Sequence, residues 1–117
     1  MSSFPRTGSS GNQVLISTTD ELPNLRITEH YGIVSGSTVR AKHFGRDMFA
    51  GIKNIFGGEL KGYTELMEES RIEATQRMLK QAEALGANAV IGVRFATSSI
   101  AQGAAEIYVY GTAVRVG

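Results

Sequence analysis

The chain has no cysteine. Disulfides, zinc–thiolate sites, thiol catalysis and thiolate-held iron–sulfur clusters are therefore excluded together. Histidine is scarce as well: His30 and His43 are the only two in 117 residues. They stand apart rather than as an HxH or HxxxH pair, which weakens any metal reading built on imidazoles. Charge of one sign is also lacking. The net charge is +1 and no two Lys or Arg residues are adjacent, so no field favours nucleic acid or an anionic membrane. No apolar run approaches the ~20 residues that span a bilayer. The N-terminus lacks the basic start and apolar core of a signal peptide. These absences lead us to expect a cytoplasmic protein. No Ser–His–Asp order, P-loop or dinucleotide fingerprint occurs, so no enzymatic activity is expected; the weaker alternative is an enzyme with a subunit-interface site using Arg94, Tyr63 and a carboxylate.

What is present suits one globular domain, with 42% hydrophobic and 20% charged residues. Residues 1–13, rich in Ser and Gly, read as a flexible tail ahead of a single domain over 14–117. Val14–Thr18 and Leu25–Val34 read as strands, with Gly36 breaking the second and Ser37–Lys42 as a short continuation. Residues 43–56 have helix spacing: Phe44, Met48, Ile52 and Ile55 share one side, which Phe49 and Phe56 broaden. An apolar arc that wide exceeds what one core contact needs, so Phe49, Ile52 and Phe56 are candidate subunit contacts. Gly57-Gly58 reads as the stop of that helix.

Tyr63 to Leu85 reads as a long amphipathic helix. Ile72, Thr75, Leu79, Ala82 and Gly86 line its inner face, and Met67, Ala74, Met78 and Leu85 widen it. Glu73 and Arg77 are suitably spaced for an i,i+4 pair. Gly86 is placed as the left-handed cap. Ala89–Ser98 and Glu106–Val116 read as an antiparallel hairpin around a small-residue loop, with Gly111 as a bulge or close-approach point. Both strands are apolar on both faces, so helices should cover one side and a neighbour the other. The expected fold class is α+β, in two layers: an antiparallel sheet packed by one long and one short helix.

With IST at Ile16–Thr18, YGIVSGSTV at Tyr31–Val39 and FGRDMFAGIKNIFGG at Phe44–Gly58, the chain resembles the YbjQ-like family. YTELMEESRIEA from Tyr63, ALGANAVIGVRF at Ala84–Phe95 and EIYVYGTAVRV at Glu106–Val116 continue the match. These are small bacterial and archaeal proteins, sometimes labelled heavy-metal-binding domains. The resemblance implies a dodecin-subunit-like fold and a ring-shaped homo-oligomer, most often a pentamer, whose subunits lend strands to each other. It implies no established enzymatic activity. Many relatives carry Arg after the Gly-Gly pair and Glu directly after the Tyr. Here Glu59 and Thr64 stand at those places, which reverses a local charge.

The candidate site residues follow from chemistry. His30, His43, Glu65 and Glu69 are the groups a divalent metal ion would use. Helix-start electrostatics already account for carboxylates such as Glu65 and Glu69 there; a hard-cation site is the alternative. Arg94 interrupts an apolar strand. A buried Arg needs an anion, and Glu106 lies across the hairpin, so an Arg94–Glu106 pair is expected, fixing register or a subunit contact. The sharper alternative is that Arg94 offers its fork to a bound carboxylate or phosphate, with Tyr63 and Glu106 nearby. Tyr108 and Tyr110 share a strand face and suit packing on a helix or on a neighbour. No resident cofactor is expected, and the expected partner is a further copy of the chain.

Overall fold

The computed structural model describes residues 13–40, 57–101 and 104–117, with backbone alone for 40, 57–63 and 101. Five elements follow one another: β1 (Leu15–Ile16), β2 (Ile27–Arg40), α1 (Gly57–Leu85), β3 (Ala89–Ala101) and β4 (Ala104–Val116). The strands form one four-stranded sheet in the order β1-β3-β4-β2. The expected short helix over 43–56 lies outside the described residues, as does the tail as far as residue 12.

The sheet is mixed, not antiparallel throughout. β2 and β3 both run antiparallel to β4, but β1 pairs parallel with β3 through Leu15↔Ala89 and Ile16↔Val90. The β3–β4 hairpin is longer than expected, because the small residues at each side of its tip still pair, as Ala101↔Ala104. β2 runs straight through Gly36, which does not break it. Here glycine serves contact rather than a turn. A Cβ at Gly36 would collide with the Ala74 carbonyl oxygen and lie 2.6 Å from Met78 N. The missing side chain is what lets the helix backbone press onto β2.

The facing side of α1 is built to match. Ser70, Ala74, Thr75, Met78, Leu79 and Ala82 are all buried. The i,i+4 series Ser70, Ala74, Met78, Ala82 puts mainly small residues toward the sheet. Ile72 is half-buried, while Leu85 is exposed. The helix starts at Gly57, so the Gly57-Gly58 pair belongs to its first turn. It ends as the sequence suggests. Gly86 has φ 93°, its N–H donates to Glu83 O at 3.0 Å, and Ala87 N–H donates to Ala82 O at 3.1 Å. These are the two bonds of a Schellman cap.

The main core lies between α1 and the sheet. Ile107, Val109 and Ala113 of β4 meet Val34 of β2, Val90 and Val93 of β3, and Met78 and Leu79 of α1. Gly111 sits among them at a β3 bulge between Ile91 and Arg94. An added Cβ there would lie 2.7 Å from Val90 Cγ1 and 3.0 Å from Ile91 O. A smaller cluster of Ala89, Ile91, Val114 and Val116 lies on the opposite face, under Leu15, Leu22 and Ile27. The segment between β1 and β2 therefore covers one end of that face. Asn88 ties this end together, as its amide donates to Val116 O at 2.9 Å and accepts from Val116 N at 2.8 Å. Among the described residues no buried side-chain nitrogen or oxygen lacks a partner.

Gly36→Ala sets a methyl against helix backbone, which can yield only by moving the helix. It should cost about 3 kcal/mol or more. Gly86→Ala would meet only the Tyr31 hydroxyl, at an ordinary contact distance of 3.7 Å, and pays for the left-handed conformation, about 1–2 kcal/mol. Urea unfolding of both variants checks the order of the two losses.

Candidate functional site

β4 alternates along most of its length: Ile107 and Val109 turn to the helix, and Tyr108 and Tyr110 turn away from it. Cross-strand partners share a face, so register gives the rest of the outer surface. Ser35, Ser37 and Val39 of β2 stand opposite Tyr110, Tyr108 and Glu106. Arg94, Ala96 and Ser98 of β3 stand opposite the same three residues. Ile33 joins them opposite Thr112. Nothing among the described residues covers this part of the sheet. Ile33 is 79% exposed, Val39 50%, and the two tyrosines nearly 40%. Their rings lie 5.5 Å apart between centroids, tilted by 33°. The tyrosines pack on each other and not on the helix.

Arg94 is exposed, and it does not pair with Glu106. In register Arg94 faces Tyr110, while Glu106 faces Ser98, four residues further along β4. The guanidinium instead donates from Nη1 to Thr18 O at 2.9 Å and to Val93 O at 2.8 Å. Those carbonyls belong to the β1–β2 segment and to the bulge, so Arg94 pins that segment at the rim of the open face. The same segment is held by Gly92 N–H to Thr19 O at 2.9 Å and Val93 N–H to Ser17 O at 3.0 Å. A guanidinium and a carboxylate thus share one face, each without an ionic partner among the described residues. Sequence reasoning missed Asn88 and the Thr18 carbonyl as partners; no local pattern announces either, because both contacts are long-range.

Of the residues expected to hold metal, His30 is not brought to Glu65 and Glu69. His30 is exposed on β2 opposite Val114. Glu65 and Glu69 are exposed on the first half of α1, next to the end of β2 where Thr38 Oγ1 bonds Ser70 O. His30 and Thr38 are eight residues apart on β2, or roughly 26 Å in an extended strand. His43 lies outside the described residues. Among the described residues no group of three or more His, Asp or Glu residues could hold a metal ion. Tyr63 belongs to α1, whereas Arg94 and Glu106 stand on the outer face of the sheet.

Among the described residues one titrating group is perturbed. Burial and the hydrogen bond it donates to Glu29 hold the Tyr31 phenol above its usual range. That direction keeps the proton on, the opposite of what an activated phenolate would need.

The model of the YbjQ_1 family, described as "Putative heavy-metal-binding", matches residues 14–117. The chain belongs to the YbjQ-like family. A UPF0145 protein of Hahella chejuensis is 64% identical over 101 residues, which are 86% of this chain and 97% of that one. A UPF0145 protein of the archaeon Archaeoglobus fulgidus is 52% identical over 104 residues, 89% of this chain and 96% of that one. YbjQ-like chains therefore occur in both bacteria and archaea. A crystal structure of a DUF74-family protein of unknown function from Pediococcus pentosaceus is also similar. It has a TM-score of 0.49 and 17% identity, over 89% of this chain and 98% of that one. No helix among the described residues is long and apolar enough to cross a membrane.

Arg94→Ala should free the Thr18 carbonyl and loosen the β1–β2 segment, at a cost of about 1 kcal/mol. Amide exchange at Gly92 and Val93 should then quicken while exchange at Val109 stays slow. Unchanged exchange at Gly92 would show that Arg94 does not pin the segment.

Proposed function

We propose that this YbjQ-like protein is a non-catalytic homo-oligomer of the cytoplasm that acts as a scaffold or holds a small ligand between subunits. The observation that carries this reading is the uncovered end of the sheet, where Tyr108 and Tyr110 stand exposed side by side with Ile33 and Val39 exposed diagonally beyond them. Exposed contiguous apolar surface marks an interaction site more often than bare solvent contact. Tyrosine is favoured there because its ring packs while its hydroxyl stays hydrated.

The occupant we assign is a second copy of the chain. The face carries both signs of charge, Arg94 and Glu106, separated along the strands and flanking the tyrosines. Such a surface is complementary to itself: Arg94 of one copy can meet Glu106 of another. Electrostatic matching of this kind selects partner and register more than it adds raw affinity. The wide apolar arc over residues 43–56 supplies a further contact, with Phe49, Ile52 and Phe56 as its anchors. A ring of five is the assembly the family resemblance favours. Ligand pockets would then lie between subunits, where Tyr63 of one subunit could approach Arg94 and Glu106 of the next.

Native mass spectrometry of protein purified without chelator tests this directly. The expected species is a homo-oligomer with no added mass per subunit. Arg94→Glu and Glu106→Arg should each lower the assembled fraction, and the double exchange should restore it. A monomeric wild-type chain at micromolar concentration sinks the proposal. A reproducible extra mass per subunit would replace it with metal or ligand binding and identify the species.

A further inference from the structure

Among the described residues β2 is a long edge strand, bonded to β4 on one side only. At 14 residues it is more than twice the usual ~5–6 residues of a strand. Such an edge is a ready template for another chain, and soluble proteins block it by specific means.

The means is visible at the centre of the strand. In an antiparallel pair, alternate residues direct their N–H and C=O toward the neighbouring strand and the others direct theirs away. Ser35 and Ser37 are two apart, and both turn toward the outer edge. The Ser35 N–H donates to Gln81 Oε1 at 2.8 Å. The Ser37 carbonyl accepts from Arg77 Nη1 at 2.6 Å. Arg77 is itself held by Glu73, Nη2 to Oε2 at 2.6 Å. Glu73, Arg77 and Gln81 recur every four residues, so one stripe of α1 hangs over this edge. Gly36 makes the reach feasible, because the helix backbone lies against the strand between Ser35 and Ser37.

We infer that Arg77 and Gln81, aligned by Glu73, form a guard that keeps a strand of a second copy off the middle of β2. An incoming strand would need the Ser35 N–H and the Ser37 carbonyl for its ladder, and the guard already occupies both. Copies that assemble must therefore use surfaces other than this stretch of edge. The guard is separate from the open-face contact, since it acts in the plane of the sheet rather than on its outer surface.

The test uses the full chain. Arg77→Ala/Gln81→Ala should stay folded by circular dichroism but gain species heavier than the wild-type assembly. It should also gain the infrared band of intermolecular β-structure. Arg77→Lys/Gln81→Glu keeps a donor and an acceptor at the two positions and should behave as wild type. Because the double alanine variant removes packing as well, Gln81→Ala alone is read by amide exchange, where Ser35 should exchange at least ten-fold faster. The inference is overturned if the folded double alanine variant keeps wild-type mass and spectrum. It is equally overturned if Ser35 exchange is unchanged in Gln81→Ala.

Discussion

The contact between the α1 backbone and Gly36 governs the arrangement of the subunit. Without a side chain at that position, the helix settles over β2 with Ala74 and Met78 against the strand. Small residues along the same helix face continue the approach, and Met78 and Leu79 fill the space toward β4. Interiors are packed too densely for such an approach to tolerate one extra methyl. Because the helix lies over β2, its side chains overhang the outer edge of that strand.

Covering one face this closely leaves the other to be dealt with separately. One end of the outer face is closed by the β1–β2 segment over Val114 and Val116. The rest carries two tyrosines, two β-branched side chains and two unlike charges with no cover from the described residues. The subunit therefore has a guarded edge and an unguarded face. This asymmetry is the physical basis of the proposal that copies associate through the face. The family label, by contrast, draws no support from the described side chains: His30 stands far from Glu65 and Glu69, and no group of three or more His, Asp or Glu among the described residues could hold a metal ion.

Much of the fold was legible because its signals are local. The long helix announced itself by its period, and Gly86 by its place after the last apolar turn. The β3–β4 hairpin followed from two apolar runs separated by small residues, and Gly111 from its isolation within a strand. The errors share one cause. Gly36 looked like a breaker because a glycine in a strand carries the same letter whether it bends the chain or admits a neighbour. β1 was read into an antiparallel sheet, whereas it pairs parallel with β3, which lies beyond the whole helix. Arg94 was matched to the carboxylate nearest in the hairpin, whereas its acceptors include a carbonyl 76 residues away in sequence.

The sequence by itself determined the long helix and its end, the β3–β4 hairpin, and the exclusion of thiol chemistry. Those properties depend on residue type and on neighbours within a few positions. Only the tertiary structure decided which face of the sheet stays open, what Arg94 holds, and that Arg77 and Gln81 reach around an edge. Each of these depends on where a helix comes to rest on a strand, and that is set by packing between residues far apart in the chain.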